Sequence, residues 1–154
     1  MHICFVCTGN ICRSPTAALV FAEYLRRERL DATVRVTSAG TGPWHVGEGI
    51  DERAGELLAR HGYPVEHVAA QIGPEHLAAD LLLAMDGGHR SALLRMVDDP
   101  SRVRLLRSFD PAADGDLDVP DPYYGGPDGF DEVLDQVEAA MPGLIAWVGE
   151  QQEP

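Results

Sequence analysis

Positive charge is scarce in this chain: over 154 residues, 12 basic against 25 acidic side chains leave a formal net charge of −13. Affinity for a phosphate backbone grows with the number of Lys and Arg contacts, so a nucleic-acid partner is excluded. Anionic membrane surfaces are disfavoured on the same ground. An anionic ligand would have to meet a local positive site working against the overall field. Cysteine is also sparse and badly placed for staples. Cys4, Cys7 and Cys12 crowd the N-terminal end, and no even-numbered framework spans the chain, which points to a reducing compartment. Long apolar runs are missing too. Met-His-Ile-Cys-Phe-Val-Cys follows no basic region, and its apolar stretch stops at Gly9, too short for a signal peptide or a membrane span. The expectation is a cytoplasmic monomer with no membrane partner, export by a leaderless route being left open.

With 45% hydrophobic and 24% charged residues, the chain reads as a single globular domain over 1–154, long enough to bury a core without disulfides. Ile3 to Val6 is a short apolar, β-branched run of the kind that forms a buried parallel strand. Val34 to Thr37, Leu81 to Met85 and Val103 to Leu106 are further strand candidates. Ser14-Pro15 reads as a helix start, Ser as cap and Pro at the first helical position. A helix is expected over Asp51 to His61, another from Asp86 to about Met96, and a last one from near Asp128, which Pro142 should kink or interrupt. Gly42 to Gly49 is a glycine-rich loop carrying Trp44 and His45. Asp110 to Asp131, rich in Asp, Gly and Pro, is loop, and its length suggests a function. Strands alternating with helices predict an α/β domain with a mainly parallel sheet, whose ligands bind at the carboxyl ends of the strands.

Between the first strand and the first helix lies Cys7-Thr8-Gly9-Asn10-Ile11-Cys12-Arg13-Ser14: a Cys, five residues, then Arg-Ser. Backbone N–H groups of a tight loop at a helix N-terminus can surround a tetrahedral phosphate dianion. Gly9 and Asn10 tolerate the left-handed backbone such a loop needs. Arg13 adds a planar fork for two phosphate oxygens. The same positive surroundings favour a thiolate at Cys7, which makes it a nucleophile. The residues from Thr8 to Cys12 and Ser14 thus form a candidate phosphate cradle, with the Ser14 hydroxyl able to reach the Cys7 sulfur. Attack by sulfur on phosphorus also calls for a general acid at the leaving oxygen. Asp121, restrained between Pro120 and Pro122, is a candidate, in competition with Asp110, Asp114, Asp116, Asp118 and Asp128 of the same acidic stretch. Neither a metal nor a cofactor is required.

On Phe5 to Pro15, Thr37-Ser-Ala-Gly-Thr41, His67-Val-Ala-Ala-Gln71, Ala84-Met-Asp86 and Asp121-Pro-Tyr-Tyr-Gly125, the chain resembles the low-molecular-weight protein tyrosine phosphatases, in particular their actinobacterial members. The resemblance covers nearly the whole length. It implies a four-stranded parallel sheet with helices on both faces and the phosphate-binding loop after strand 1. It also implies Cys7 as nucleophile, Arg13 as phosphate binder and Asp121 as general acid, with phosphotyrosine-containing proteins as partners. Asn10, Ser38 and His67 would support the loop, and Trp44, His45, Tyr123 and Tyr124 would wall a slot deep enough to favour phosphotyrosine. The chain departs from many relatives at Ala70, where they carry Arg, and at Pro120, where they carry an acidic residue. Neither change removes a catalytic group.

Other readings of the same residues are weaker. A zinc site of His2, Cys4, Cys7 and Cys12 lacks a distant ligand pair. Cys4 reads as a small core residue, whereas Cys12 is divided between packing and a reversible disulfide with Cys7. An arsenate reductase of this fold would need downstream cysteines, and there are none after Cys12. A protein-arginine phosphatase of this fold typically has Thr where Ile11 stands. A binding module without turnover should lack the nucleophile or the acid.

Overall fold

The computed structural model describes residues 1–123, 125–126 and 128–152. Four short strands, β1 (His2–Cys7), β2 (Arg35–Gly40), β3 (Leu81–Ala84) and β4 (Val103–Leu105), pair in parallel in the order β2-β1-β3-β4. The alternation of side chains along a strand divides the core into two layers. Ile3, Phe5, Leu81 and Leu83 pack beneath α1 (Arg13–Arg27), α2 (Glu52–Arg60) and α5 (Asp128–Gln152). Cys4, Val6, Leu82 and Ala84 turn the other way, toward the single turn α3 (Pro74–Leu77) and α4 (Gly87–Leu94). Phe5 and Phe21 meet edge to face with centroids 5.7 Å apart, both fully buried; burial of each is worth about 1.5–3 kcal/mol. This is the expected α/β sheet with helices on both faces. It leaves the carboxyl end of central β1, and hence Cys7, beside the last residue of β2, Gly40.

Several boundaries differ from the sequence expectation for identifiable reasons. β2 starts at Arg35 and continues through Ser38-Ala39-Gly40, because those residues pair with Phe5, Val6 and Cys7. α1 begins at Arg13 rather than at a Ser14 cap: Cys12 is the residue before the helix, and the Ser14 hydroxyl is engaged with Cys7 and Asn10. Pro15 is accepted there because first-turn amides have no intrahelical acceptor. Asp51 caps α2, its carboxylate accepting from the amides of Arg53 and Ala54, and Asp86 caps α4 by accepting from His89. α5 is not interrupted at Pro142. That residue is exposed, so the carbonyl freed one turn earlier is on the solvent side. On either side of it, Met141 and Leu144 are fully buried. Gly143 allows the close approach, since a Cβ there would lie 2.0 Å from the Phe109 carbonyl oxygen.

Candidate active site

The phosphate-loop segment leaves β1 at Cys7 and enters α1 at Arg13, and its shape is fixed from behind. Asn10 takes a left-handed backbone, φ 58°, and is fully buried. Its side-chain amide donates to Ser14 Oγ at 2.8 Å and to Ser38 Oγ at 2.9 Å, while its oxygen accepts from the Ala70 amide. His67 Nε2 donates to the Asn10 carbonyl at 2.6 Å; burial pushes the His67 pKa down, which keeps the ring neutral. The amides of Thr41 and Gly42 donate to the carbonyls of Cys7 and Thr8, and that of Asp51 to the carbonyl of Ile11. With its carbonyls turned outward to these partners, the loop can turn amides toward its centre.

Cys7 Sγ lies 2.9 Å from Ser14 Oγ. Ser14 Oγ accepts from Asn10 and keeps its own hydroxyl proton, which is within reach of a Cys7 thiolate. Arg13, 4% exposed, donates through Nη1 to Asp86 Oδ2 and to the Val119 carbonyl, each at 2.9 Å, and its Nη2 is 3.7 Å from Asp121 Oδ2. Burial works against ionisation of Asp86, but the His89 amide and ring and the Arg13 guanidinium outweigh it and hold its pKa below the usual carboxylate range. Burial drives His89 down to about 4 despite the nearby carboxylates, so its ring is neutral. Its Nδ1 faces Asp86 Oδ1 at 3.2 Å, off the line of a good hydrogen bond, and its Nε2 meets Thr8 Oγ1 at 2.8 Å. Asp86 thereby links the arginine and the first loop residue.

A cleft of about 480 Å³ opens above the sulfur, lined by Cys7, Thr8, Gly9, Ile11, Cys12, Arg13, Trp44, His45, Asp121 and Tyr123. Trp44 is 68% exposed at its mouth, and the His45 and Tyr123 rings are 6.4 Å apart. Most of the residues singled out in the sequence therefore converge. Asn10 and Ser14 are exceptions to direct contact: they lie behind the loop and do not line the cleft. Ser38 and His67 also sit behind it. Tyr124 falls outside the described residues. Cys4, Cys7 and Cys12 are free thiols, and burial, with Asp51 next in effect, pushes Cys12 up to about 12. Asp86, His89, Asp51 and Arg53 carried no sequence-derived role. Asp86 had a usable signal in its position directly after a strand, where α/β ligands bind; the others needed the three-dimensional contacts.

The family model described as low molecular weight phosphotyrosine protein phosphatase matches residues 2–153. Low molecular weight protein-tyrosine phosphatase A of Mycobacterium tuberculosis is 56% identical over 152 residues, spanning 98% of this chain and 93% of the relative. The low molecular weight protein-tyrosine-phosphatase of Streptomyces coelicolor is 54% identical over 157 residues, 99% of this chain and 96% of the relative. Among solved structures, the protein tyrosine phosphatase of Entamoeba histolytica superposes with a TM-score of 0.93 at 31% identity, covering 99% of each chain. The chain belongs to the low molecular weight phosphotyrosine protein phosphatase family, and to its actinobacterial type.

Proposed function

We propose that the chain hydrolyses phosphotyrosine in proteins through a phosphocysteine, with Cys7 as nucleophile, Arg13 as phosphate binder and Asp121 as general acid and base. The observation that carries this reading is a thiol, a guanidinium and a carboxyl lining one cleft, Cys7 Sγ being 2.9 Å from the Ser14 hydroxyl oxygen. The substrate phosphate lies against the loop amides and Arg13, which exchanges its long contact with Asp121 for phosphate oxygens. The thiolate attacks phosphorus, the bond to the phenolic oxygen breaks, and protonated Asp121 gives that oxygen its proton. The resulting carboxylate then takes a proton from water as that water attacks phosphorus. The sulfur–phosphorus bond breaks, inorganic phosphate leaves, and the Ser14 hydroxyl stabilises the departing thiolate.

The apolar sides of Ile11, Trp44 and Tyr123 suit a phenyl ring, and the buried sulfur is reached by a long aryl arm more readily than by a phosphoserine side chain. Free thiols at Cys7 and Cys12 suit the reducing cytoplasm as the place of action. No helix among the described residues is long and apolar enough to cross a membrane. Comparing kcat/KM on phosphotyrosyl, phosphoseryl and phosphoarginyl peptides tests the reading. Phosphotyrosine should be hydrolysed fastest, and a preference for phosphoarginine would overturn the assignment despite Ile11.

A further inference from the structure

The loop that carries Asp121 is held differently on its two sides. Upstream, Arg107 Nη1 donates to the carbonyls of Asp116 and Asp118, each at 2.9 Å, and the Gly87 amide donates to Asp118 Oδ1. Val119 is fully buried, its amide bonded to Met85 and its carbonyl to Arg13. Downstream, the described residues show a looser arrangement around Asp121. Pro122 is buried but borders a small cavity of about 10 Å³ between α1, α2 and α5, and the Asp121 side chain is 44% exposed. The amide of Tyr123 donates to Asp121 Oδ1, which fixes the carboxyl relative to its own loop but not the loop relative to the sulfur.

Arg53, from the first turn of α2, reaches that downstream side. Its guanidinium carbon is 5.4 Å from the centroid of the Tyr123 ring and 4.6 Å from that of Phe130. Its Nη2 donates to the Tyr123 carbonyl at 3.4 Å. The same guanidinium grips both carboxylate oxygens of Asp51, Nε to Oδ1 at 3.2 Å and Nη2 to Oδ2 at 3.1 Å, and the Asp51 amide donates to the Ile11 carbonyl in the phosphate loop. A continuous set of contacts thus runs from the phosphate loop through Asp51 and Arg53 to Tyr123 and Asp121. Only a planar fork can stack on two rings and bind a carboxylate edge-on at once; an ammonium group cannot.

We propose that Arg53 is a positioning residue that sets the Asp121 carboxyl over the phosphate loop by clamping Tyr123 to α2. The inference rests on Asp121 as general acid. Substrates whose leaving group needs a proton depend on that placement, and those with a very acidic leaving group do not.

The test measures kcat/KM over aryl phosphates from phenyl to 2,4-dinitrophenyl for the wild-type protein and for Arg53→Met and Arg53→Lys. Amide exchange across residues 119–126 and thermal unfolding accompany it. Arg53→Met should lose about tenfold on phenyl phosphate, part of the 10²–10⁴ a general acid contributes, and less than about threefold on the dinitrophenyl ester. Exchange in 119–126 should quicken, and Arg53→Lys should recover little of the loss. Inhibition by vanadate, which needs no acid, should stay close to wild type. An equal fall for all leaving groups, or unchanged exchange in a folded variant, would overturn the proposal. A wild-type protein inert toward every aryl phosphate would instead overturn the catalytic reading, while the exchange data would still report whether Arg53 holds the loop.

Discussion

Replacing Gly40 by Ala should disable the phosphate loop from a residue that never touches substrate. Gly40 ends β2 beside Cys7, and a Cβ there would lie 2.6 Å from the Thr8 carbonyl oxygen, 3.1 Å from the Gly9 carbonyl carbon and 3.2 Å from the Asn10 amide nitrogen. All three are backbone atoms of the loop, so no side chain can swing away. Gly40 cannot retreat either, because its amide is bonded to Ala70 and its carbonyl to Ile72. The loop is pinned in turn by Thr41, Gly42 and the Asn10 side chain. Overpacking of this kind costs about 1–3 kcal/mol in stability, and a shift of roughly 1 Å in a catalytic group can cost on the order of 10²-fold in rate. Gly40→Ala should therefore unfold at a lower temperature, lose about 10²-fold in kcat/KM on aryl phosphates, and bind vanadate more weakly. Gly149→Ala is the matched control: a Cβ there meets nothing within 4 Å, and the helix should gain about 0.5–1 kcal/mol without change in activity. Activity of Gly40→Ala within threefold of wild type would refute the reasoning about the loop.

Asp121→Asn should lose about 10²–10⁴-fold in kcat/KM on phosphotyrosyl peptides and far less on the dinitrophenyl ester, whereas Asp118→Asn, whose carboxylate caps the Gly87 amide, should show no such leaving-group dependence. Equal losses from both variants would remove Asp121 from its assigned role. His89 affects stability through pH. Its pKa is near 4 in the fold against 6.5 when free, so the unfolded chain takes up the proton first as pH falls. The stabilisation it allows is complete above about 6.5 and drains away toward 4, on the order of 3 kcal/mol. His89→Gln should flatten urea-derived stability against pH across that window, although His2, His67 and His76, also lowered by burial, keep part of the slope. An unchanged slope would show that His89 titrates normally.

The parts of the molecule legible in the sequence are those with local causes. Ile3 to Val6 reads as a buried strand because its apolar run is local, and Cys7 to Ser14 reads as a phosphate loop because spacing, glycine and helix start coincide. What depends on distant partners was not legible. The extension of β2 to Gly40 is set by pairing with Phe5, Val6 and Cys7, and the α3 turn has too few residues for a periodic signal. Ser14 looked like a helix cap because its competing partners, Cys7 and Asn10, compose a site rather than a helix end. Pro142 looked like a breaker because exposure on α5 cannot be read from proline alone. Among six acidic candidates in one stretch of sequence, the last of which begins α5, position relative to Arg13 distinguishes Asp121, 3.7 Å from the guanidinium, and the sequence does not encode that distance.

The most direct measurement is acid quenching of the protein within its first turnover of a phosphotyrosyl peptide, followed by fragmentation of the N-terminal peptide by mass spectrometry. One phosphoryl group should be found on Cys7, none on Cys4 or Cys12, and loading Asp121→Asn with the dinitrophenyl ester, whose leaving group needs no proton, should raise the occupancy because hydrolysis of the intermediate is slowed. Cys7→Ala should carry no label and release no phosphate. Phosphate release without a labelled Cys7, or with Cys7→Ala still active, would contradict the phosphocysteine mechanism outright.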